Sequence, residues 1–224
     1  MTQSKTIELH PLQQNVPVPR TIKTVCVYCG SGHGTDPAYK AAAITLGTDL
    51  AKAGMGLVYG GGSLGLMGEV ARATMRNGGP VTGIIPQFLT EHEKMLKDAD
   101  QVVVTKDMHE RKMLMFERSD AFVALPGGIG TLEELVEQLT WAQLGQHGKP
   151  IVIVNIKGFW DPFLSLLDHM RAQAFIRANL DVGYQVVQDA GDVVPALQTI
   201  SELAAQAGDE ARTKVADTAI SEKF

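Results

Sequence analysis

Basic residues are too few in this chain to make a nucleic-acid footprint. Twenty Lys and Arg stand against 25 Asp and Glu, for a formal net charge of −5, and no Lys/Arg cluster reverses that balance locally. Long apolar runs are missing too, since none reaches the ~18–20 residues that a membrane helix requires. Neither nucleic acid nor membrane is therefore expected as a partner. Cysteine is scarce: only Cys26 and Cys29 occur, spaced C-x-x-C. A redox motif of that spacing opens a helix. Here it lies in Ile22–Cys29, an apolar strand pattern, where residues three apart point to opposite faces and cannot be bridged. With no second pair, zinc lacks ligands, so no metal is expected and the two thiols read as buried. The first twenty residues, Met1–Arg20, lack the apolar core of a signal peptide. They read as a flexible lead-in to a cytoplasmic protein.

What is present is the material of one globular domain: 224 residues, 45% hydrophobic and 20% charged. Strand-like runs at 22–29, 55–59, 81–85, 101–104, 120–125, 150–155 and, more weakly, 183–188 alternate with helical runs. The helical runs fall at 37–53, 65–77, 108–118, 132–144, 160–171 and 192–206. Val/Ile-rich strands without a polar face, alternating with helices, predict an α/β fold. The expected form is a single doubly wound, Rossmann-like parallel sheet with helices on both faces. The expected organisation is a lead-in over 1–20, a nucleotide-binding α/β domain over 21–206 and a disordered tail over 207–224. Met113, Met115, Phe116 and Trp141 read as core and Lys149 as surface.

Ligands of such sheets sit beyond the carboxyl ends of the strands, and three of the loops expected there are glycine-rich: 30–34, 60–65 and 126–131. The second, Gly60-x-Gly62-x-x-Gly65, has the dinucleotide spacing. The acidic residue that should end the next strand to hold a ribose hydroxyl is absent, since Val81–Ile85 runs into Pro86-Gln87-Phe88. The third, Pro126-Gly127-Gly128-Ile129-Gly130-Thr131, is not a Walker A loop because no lysine precedes Thr131. A glycine turn between a strand and a helix start still offers free amides and a favourable dipole to one phosphate. Glu134 follows in the first helical turn. Thr131-x-x-Glu134 is also a capping box, so the carboxylate reads equally as cap or as chemistry. Asp107 reads as an N-cap. The adjacent cations Arg111 and Lys112 near that helix start oppose its dipole, and so read as placed for a ligand or as a solvated face.

These motifs together resemble one family. Its P-G-G-x-G-T-x-x-E signature is matched by Pro126–Glu134 and its M-H-x-R-K segment by Met108–Lys112. Cys29-Gly30-Ser31-Gly32, Tyr59–Gly62 and Gly65-Leu66-Met67-Gly68 fit its earlier loops. The resemblance is to the LOG ("Lonely Guy") phosphoribohydrolases, which release a free cytokinin base from its riboside 5′-monophosphate, and it covers roughly residues 22–190. Many members have been labelled lysine decarboxylases. The resemblance implies hydrolysis of a purine nucleoside 5′-monophosphate, cytokinin-type or AMP, to free base and ribose 5-phosphate. It implies no cofactor and a homodimer or larger assembly. Arg111 and Glu134 take the catalytic positions. Ser31, Gly61, Gly62, Lys112, Gly127, Gly128, Ile129, Gly130, Thr131 and Thr140 take substrate-contacting ones, and Glu93 stands for the family's other acidic contact. The alternative is a non-catalytic nucleotide or molybdenum-cofactor carrier, to which related proteins belong.

Overall fold

Strands without a polar face must be covered on both sides, and the central strands of this chain are, while the edge strand over 101–105 stays partly exposed, with Val104 46% accessible. A computed structural model describes residues 18, 19, 21–90, 96, 99–176 and 183–206. The expected tail, Glu93 and nearly all of the expected lead-in lie outside those residues. β1 (Thr24–Tyr28), β2 (Gly56–Tyr59), β3 (Val81–Pro86), β4 (Gln101–Thr105), β5 (Ala121–Ala124), β6 (Ile151–Val154) and β7 (Gln185–Val187) form one parallel sheet. The order is β4-β3-β2-β1-β5-β6-β7. The chain thus winds outward from β1, then returns to lay β5 on its other side. That reversal makes the crevice beyond the carboxyl ends of β1 and β5 the topological switch point, where doubly wound folds bind ligands.

Side-chain alternation sorts the core into two layers. Val25, Val27, Leu57, Tyr59, Val123 and Val152 pack with α1 (Pro37–Lys52), α2 (Gly65–Arg76) and a last helix over 193–206. Cys26, Tyr28, Val58, Ile84, Phe122 and Ile151 pack on the opposite face. There they meet Met115 of α3 (Met108–Glu117), Leu135 and Leu139 of α4 (Ile129–Gln143) and Leu167 of α5 (Asp161–Ala172). Cys26 and Cys29 fall on opposite faces as buried free thiols, and burial pushes both thiols far above their usual range.

Two expectations about single residues need correcting. Met113 is exposed on α3 rather than core. Lys149 is half-buried rather than free on the surface: its Nζ donates to the Phe116 carbonyl at 2.6 Å and lies 3.8 Å from the centre of the Phe116 ring. A Lys stem covers apolar surface while its ammonium keeps polar and π partners.

Candidate active site

The largest departure from the expected elements lies at the 126–131 loop. α4 begins at Ile129, three residues early, with Gly128 as its N-cap and no side-chain cap bond. Thr131 is therefore inside the first turn and the capping box there does not form. Its buried side chain instead lies over the bare Cα of Gly127, where a Cβ would collide with it. A related cap forms at α3: Asp107 Oδ1 accepts from the Glu110 amide at 2.9 Å, and Glu110 Oε2 reaches one residue past the N-cap to accept from the Lys106 amide at 2.8 Å. Glu134 is thus left free for another partner.

That partner is Arg111. Its Nη2 stands 3.1 Å from Glu134 Oε1, with the residues only 9% and 7% exposed. The guanidinium also donates through Nε to the Ile84 carbonyl at 3.2 Å, and Nη1 sits 3.8 Å from Met108 Sδ. Arg111 therefore reaches from α3 across the end of β3 to α4. Gly60, just past β2, lies beneath it, and a methyl group there would strike Nη2. Burial pushes the Glu134 carboxyl up to about 7, against the downward pull of Arg111; Glu133 and Glu137 add to the rise and Lys112 opposes it. Arg111 thus orients Glu134 without holding it in the ordinary carboxylate range, because desolvation outweighs the pair.

Two helix N-termini meet near this pair, and they differ. At α2 the Leu66 amide donates to the Gly30 carbonyl at 3.0 Å and to Gly32 at 3.3 Å, and Met67 donates to Gly30 at 3.3 Å. The fingerprint-like glycine loop thus uses its helix amides to dock the loop after β1, which leaves them closed to a pyrophosphate. Gly65, at φ +58°, permits that docking, since a Cβ would enter the Ser31 backbone. At α4 the amides of Ile129, Gly130 and Thr131 have no partner among the described residues, and Gly128, Ile129 and Gly130 are exposed. This is the open anion cradle.

The remaining candidates are placed as follows. Ser31 is exposed at the rim, on the loop that the Gly30 amide ties to the Pro126 carbonyl at 3.0 Å. Gly61 and Gly62 are buried, and Gly61 (φ +79°) packs on Ile85 while its carbonyl accepts from Leu96 at 3.2 Å. Lys112 does not point at the cradle but bonds Glu133 and Glu137 on α4. Thr140 is exposed about three turns along α4, donating to the Val136 carbonyl at 2.7 Å. The structure thus brings together Arg111, Glu134 and the 127–131 loop, and leaves Thr140 apart. Gly60 and Met108 stand inside motifs that the sequence offered, but their contacts with Arg111, and that of the Ile84 carbonyl, were missed. Their signal would have been a glycine and a carbonyl facing a long cation at the ends of β2 and β3, which no local pattern carries. Among the described residues no group of three or more His, Cys, Asp or Glu is placed to hold a metal ion.

The chain is similar to known proteins. Residues 67–197 match the family described as "Possible lysine decarboxylase". The chain is 49% identical over 154 residues to the rice (Oryza sativa subsp. japonica) cytokinin riboside 5′-monophosphate phosphoribohydrolase LOG, covering 69% of this chain and 64% of that protein. It is 48% identical over 154 residues to LOG1 of Arabidopsis thaliana, covering 69% and 72%. The matched region thus spans just under two thirds of the rice protein's length. Among solved structures, the molybdenum cofactor carrier protein of Chlamydomonas reinhardtii superposes with a TM-score of 0.59 at 22% identity, over 80% of this chain and 97% of that one. The molybdenum cofactor binding protein of Rippkaea orientalis gives 0.58 at 22%, over 80% and 98%. Those two likenesses concern the fold. The sequence matches, extending over more than half of the chain and over both signature segments, establish that the chain belongs to the LOG family.

Proposed function

We propose that this protein hydrolyses the N-glycosidic bond of a purine nucleoside 5′-monophosphate, cytokinin-type or AMP, to free base and ribose 5-phosphate. The observation that carries the reading is the buried Arg111–Glu134 pair beside the unpartnered amides of α4. The 5′-phosphate lies on the amides of residues 128–131 at the positive end of α4. Ser31 borders the cradle, the glycines at 61 and 62 shape the pocket floor, and Gly127 lets the two strand-end loops close on one another. The phosphate is an anchor remote from the reacting carbon, whose binding energy positions the sugar. Cleavage passes through an oxocarbenium-like ribose. Glu134 faces that developing cation and takes a proton from the attacking water. The water oxygen bonds C1′ and keeps its other hydrogen as the new hydroxyl, the C1′–N bond breaks, and the proton taken by Glu134 ends on the departing base. Arg111 fixes the carboxylate from behind and contacts the ribose or phosphate. A carrier protein would use the glycine loops equally well, but would have no need of a buried Arg–Glu pair.

The ionised Glu134 is the working form, so the sign of the pH dependence follows. Activity is lost as pH falls through about 7 and the carboxyl protonates. The acid limb of kcat/KM for AMP, measured between pH 5 and 9, is expected at an apparent pKa of about 7. A limb near an ordinary carboxylate value would assign the step to another group. The activity itself is tested by chromatography of a panel of purine 5′-monophosphates, nucleosides and bases after incubation with the protein. Free base and ribose 5-phosphate from AMP or isopentenyl-AMP, with none from the nucleosides, is the expected result. Return of intact nucleotide would favour the carrier.

The reading extends to assembly and place. Ile129 (81% exposed), Val136 and Leu144 line one side of α4, with Thr140 between them and Met113 exposed on neighbouring α3. A second copy of the chain covering this strip would form the homodimer, in the cytoplasm. No described helix is long and apolar enough to cross a membrane.

A further inference from the structure

Lys112 follows directly on Arg111, yet its ammonium turns away from the phosphate cradle. Nζ lies 2.6 Å from Glu133 Oε1 and 2.9 Å from Glu137 Oε1, with the lysine side chain 14% exposed. Glu133 and Glu137 stand one turn apart on α4 and bracket Glu134 in sequence. The second oxygen of Glu137 is buried and has no partner among the described residues. One desolvated ammonium thus answers two carboxylates, and one of those carboxylates is itself partly withdrawn from water.

We propose that Lys112 is a positioning residue for the reaction proposed above: it pins α4 to α3 and neutralises the two carboxylates flanking Glu134, which keeps Glu134 available as an ionised group. The charged and titratable groups around Glu134 are few. From α3 come Arg111 and Lys112; from α4, Glu133 and Glu137. From β1 come Cys26 and Tyr28, with Cys29 just beyond the strand, and burial keeps all three protonated. Among the described residues, the charges that act most on Glu134 are therefore two cations and two carboxylates. Removing Lys112 leaves two adjacent negative charges uncompensated, and like charges disfavour ionisation of a third carboxyl.

The inference rests on that proposed function, and its test reads the carboxyl group separately from turnover. Protein labelled with carbon-13 at the Glu side-chain carboxyl is titrated by NMR, with Glu134→Gln identifying the signal, and base release from AMP is followed across the same pH range. In Lys112→Met the Glu134 midpoint and the acid limb both rise by about one pH unit. At pH 7 kcat then falls about fivefold, as the ionised fraction drops from about a half to about a tenth, and it recovers near pH 9. KM stays within about twofold of wild type, within the range expected where no substrate contact is lost. Lys112→Arg stays near wild type, and Lys112→Met combined with Glu137→Gln returns the midpoint most of the way. If Lys112→Met unfolds, Glu137→Gln alone carries the test, with the midpoint expected to move down. A raised KM with an unmoved midpoint makes Lys112 a phosphate contact and overturns the proposal, as does an unmoved midpoint in Glu137→Gln. If the wild-type protein releases no base, the proposed function fails while the midpoints still decide the role of Lys112.

Discussion

Glu134→Gln lowers kcat for base release by between roughly 10²- and 10⁴-fold, the range that one acid–base group supplies, while the protein stays folded. The substitution is nearly isosteric. An amide oxygen can still accept from Arg111 Nη2, the contact that now spans 3.1 Å. What is lost is the negative charge facing the oxocarbenium and the ability to take a proton from water. KM for AMP should change little, because the phosphate cradle at 128–131 is untouched. A stability readout separates this effect from misfolding. The Glu134 carboxyl is raised from 4.5 to about 7 in the folded protein. Ionising it therefore works against folding, with no penalty below pH 4.5 and a full one above 7. The wild type should lose stability relative to Glu134→Gln between those pH values, as thermal unfolding at pH 4.5, 6 and 8 would measure. Turnover within about tenfold of wild type would remove Glu134 from the chemistry.

The sheet was legible because its strands are Val/Ile-rich apolar runs: each observed strand falls on an expected run from 22–29 through 183–188, with β3 and β4 each running one residue past it. The strand order was not read from the sequence; the reversal beside β1 is what brings loops 30–34 and 126–131 into contact. Local chemistry was less legible where two sites compete for one pattern. Thr131-x-x-Glu134 and Asp107-x-x-Glu110 share the capping-box spacing, and only the second caps its helix through side chains. At the first, two glycines let the helix start early and free Glu134 for Arg111. That pairing joins residues on different helices through the ends of β2 and β3, and no local spacing encodes it. The family's signature segments named the same two residues without explaining why they meet. Lys112 shows the converse: its position in the motif points to substrate, while its side chain bonds two carboxylates. Lys149 was misread because a cation over an aromatic ring looks, in sequence, like any surface lysine.

Gly60→Ala is the second large effect, expected to lower kcat about 10²-fold without touching a charged residue. A methyl group at Gly60 would meet Arg111 Nη2 and lie 3.0 Å from Met67 Sδ. The guanidinium has little room to yield. Its Nε is bonded to the Ile84 carbonyl at 3.2 Å, and retreat toward α3 is limited by Met108 Sδ, 3.8 Å from Nη1. The methyl group therefore acts through the one movable contact and pushes Nη2 off Glu134. Misplacing a positioned group by about 1 Å is enough for a loss of that size. Stability should fall by about 1–3 kcal/mol, as for other added methyl groups in packed sites. Arg111→Lys provides the comparison, since an ammonium keeps the charge but cannot bond the Ile84 carbonyl and Glu134 in one plane. Both variants should lose kcat together, with a smaller rise in KM for AMP from the weakened Arg111 contact to the ribose or phosphate, because neither alters the cradle amides. If Gly60→Ala keeps kcat within about threefold, a barrier change of about 0.7 kcal/mol, the position of Arg111 over Gly60 does not govern the rate. Arg111→Lys alone would then show whether the guanidinium fork, rather than its placement, is what the reaction needs.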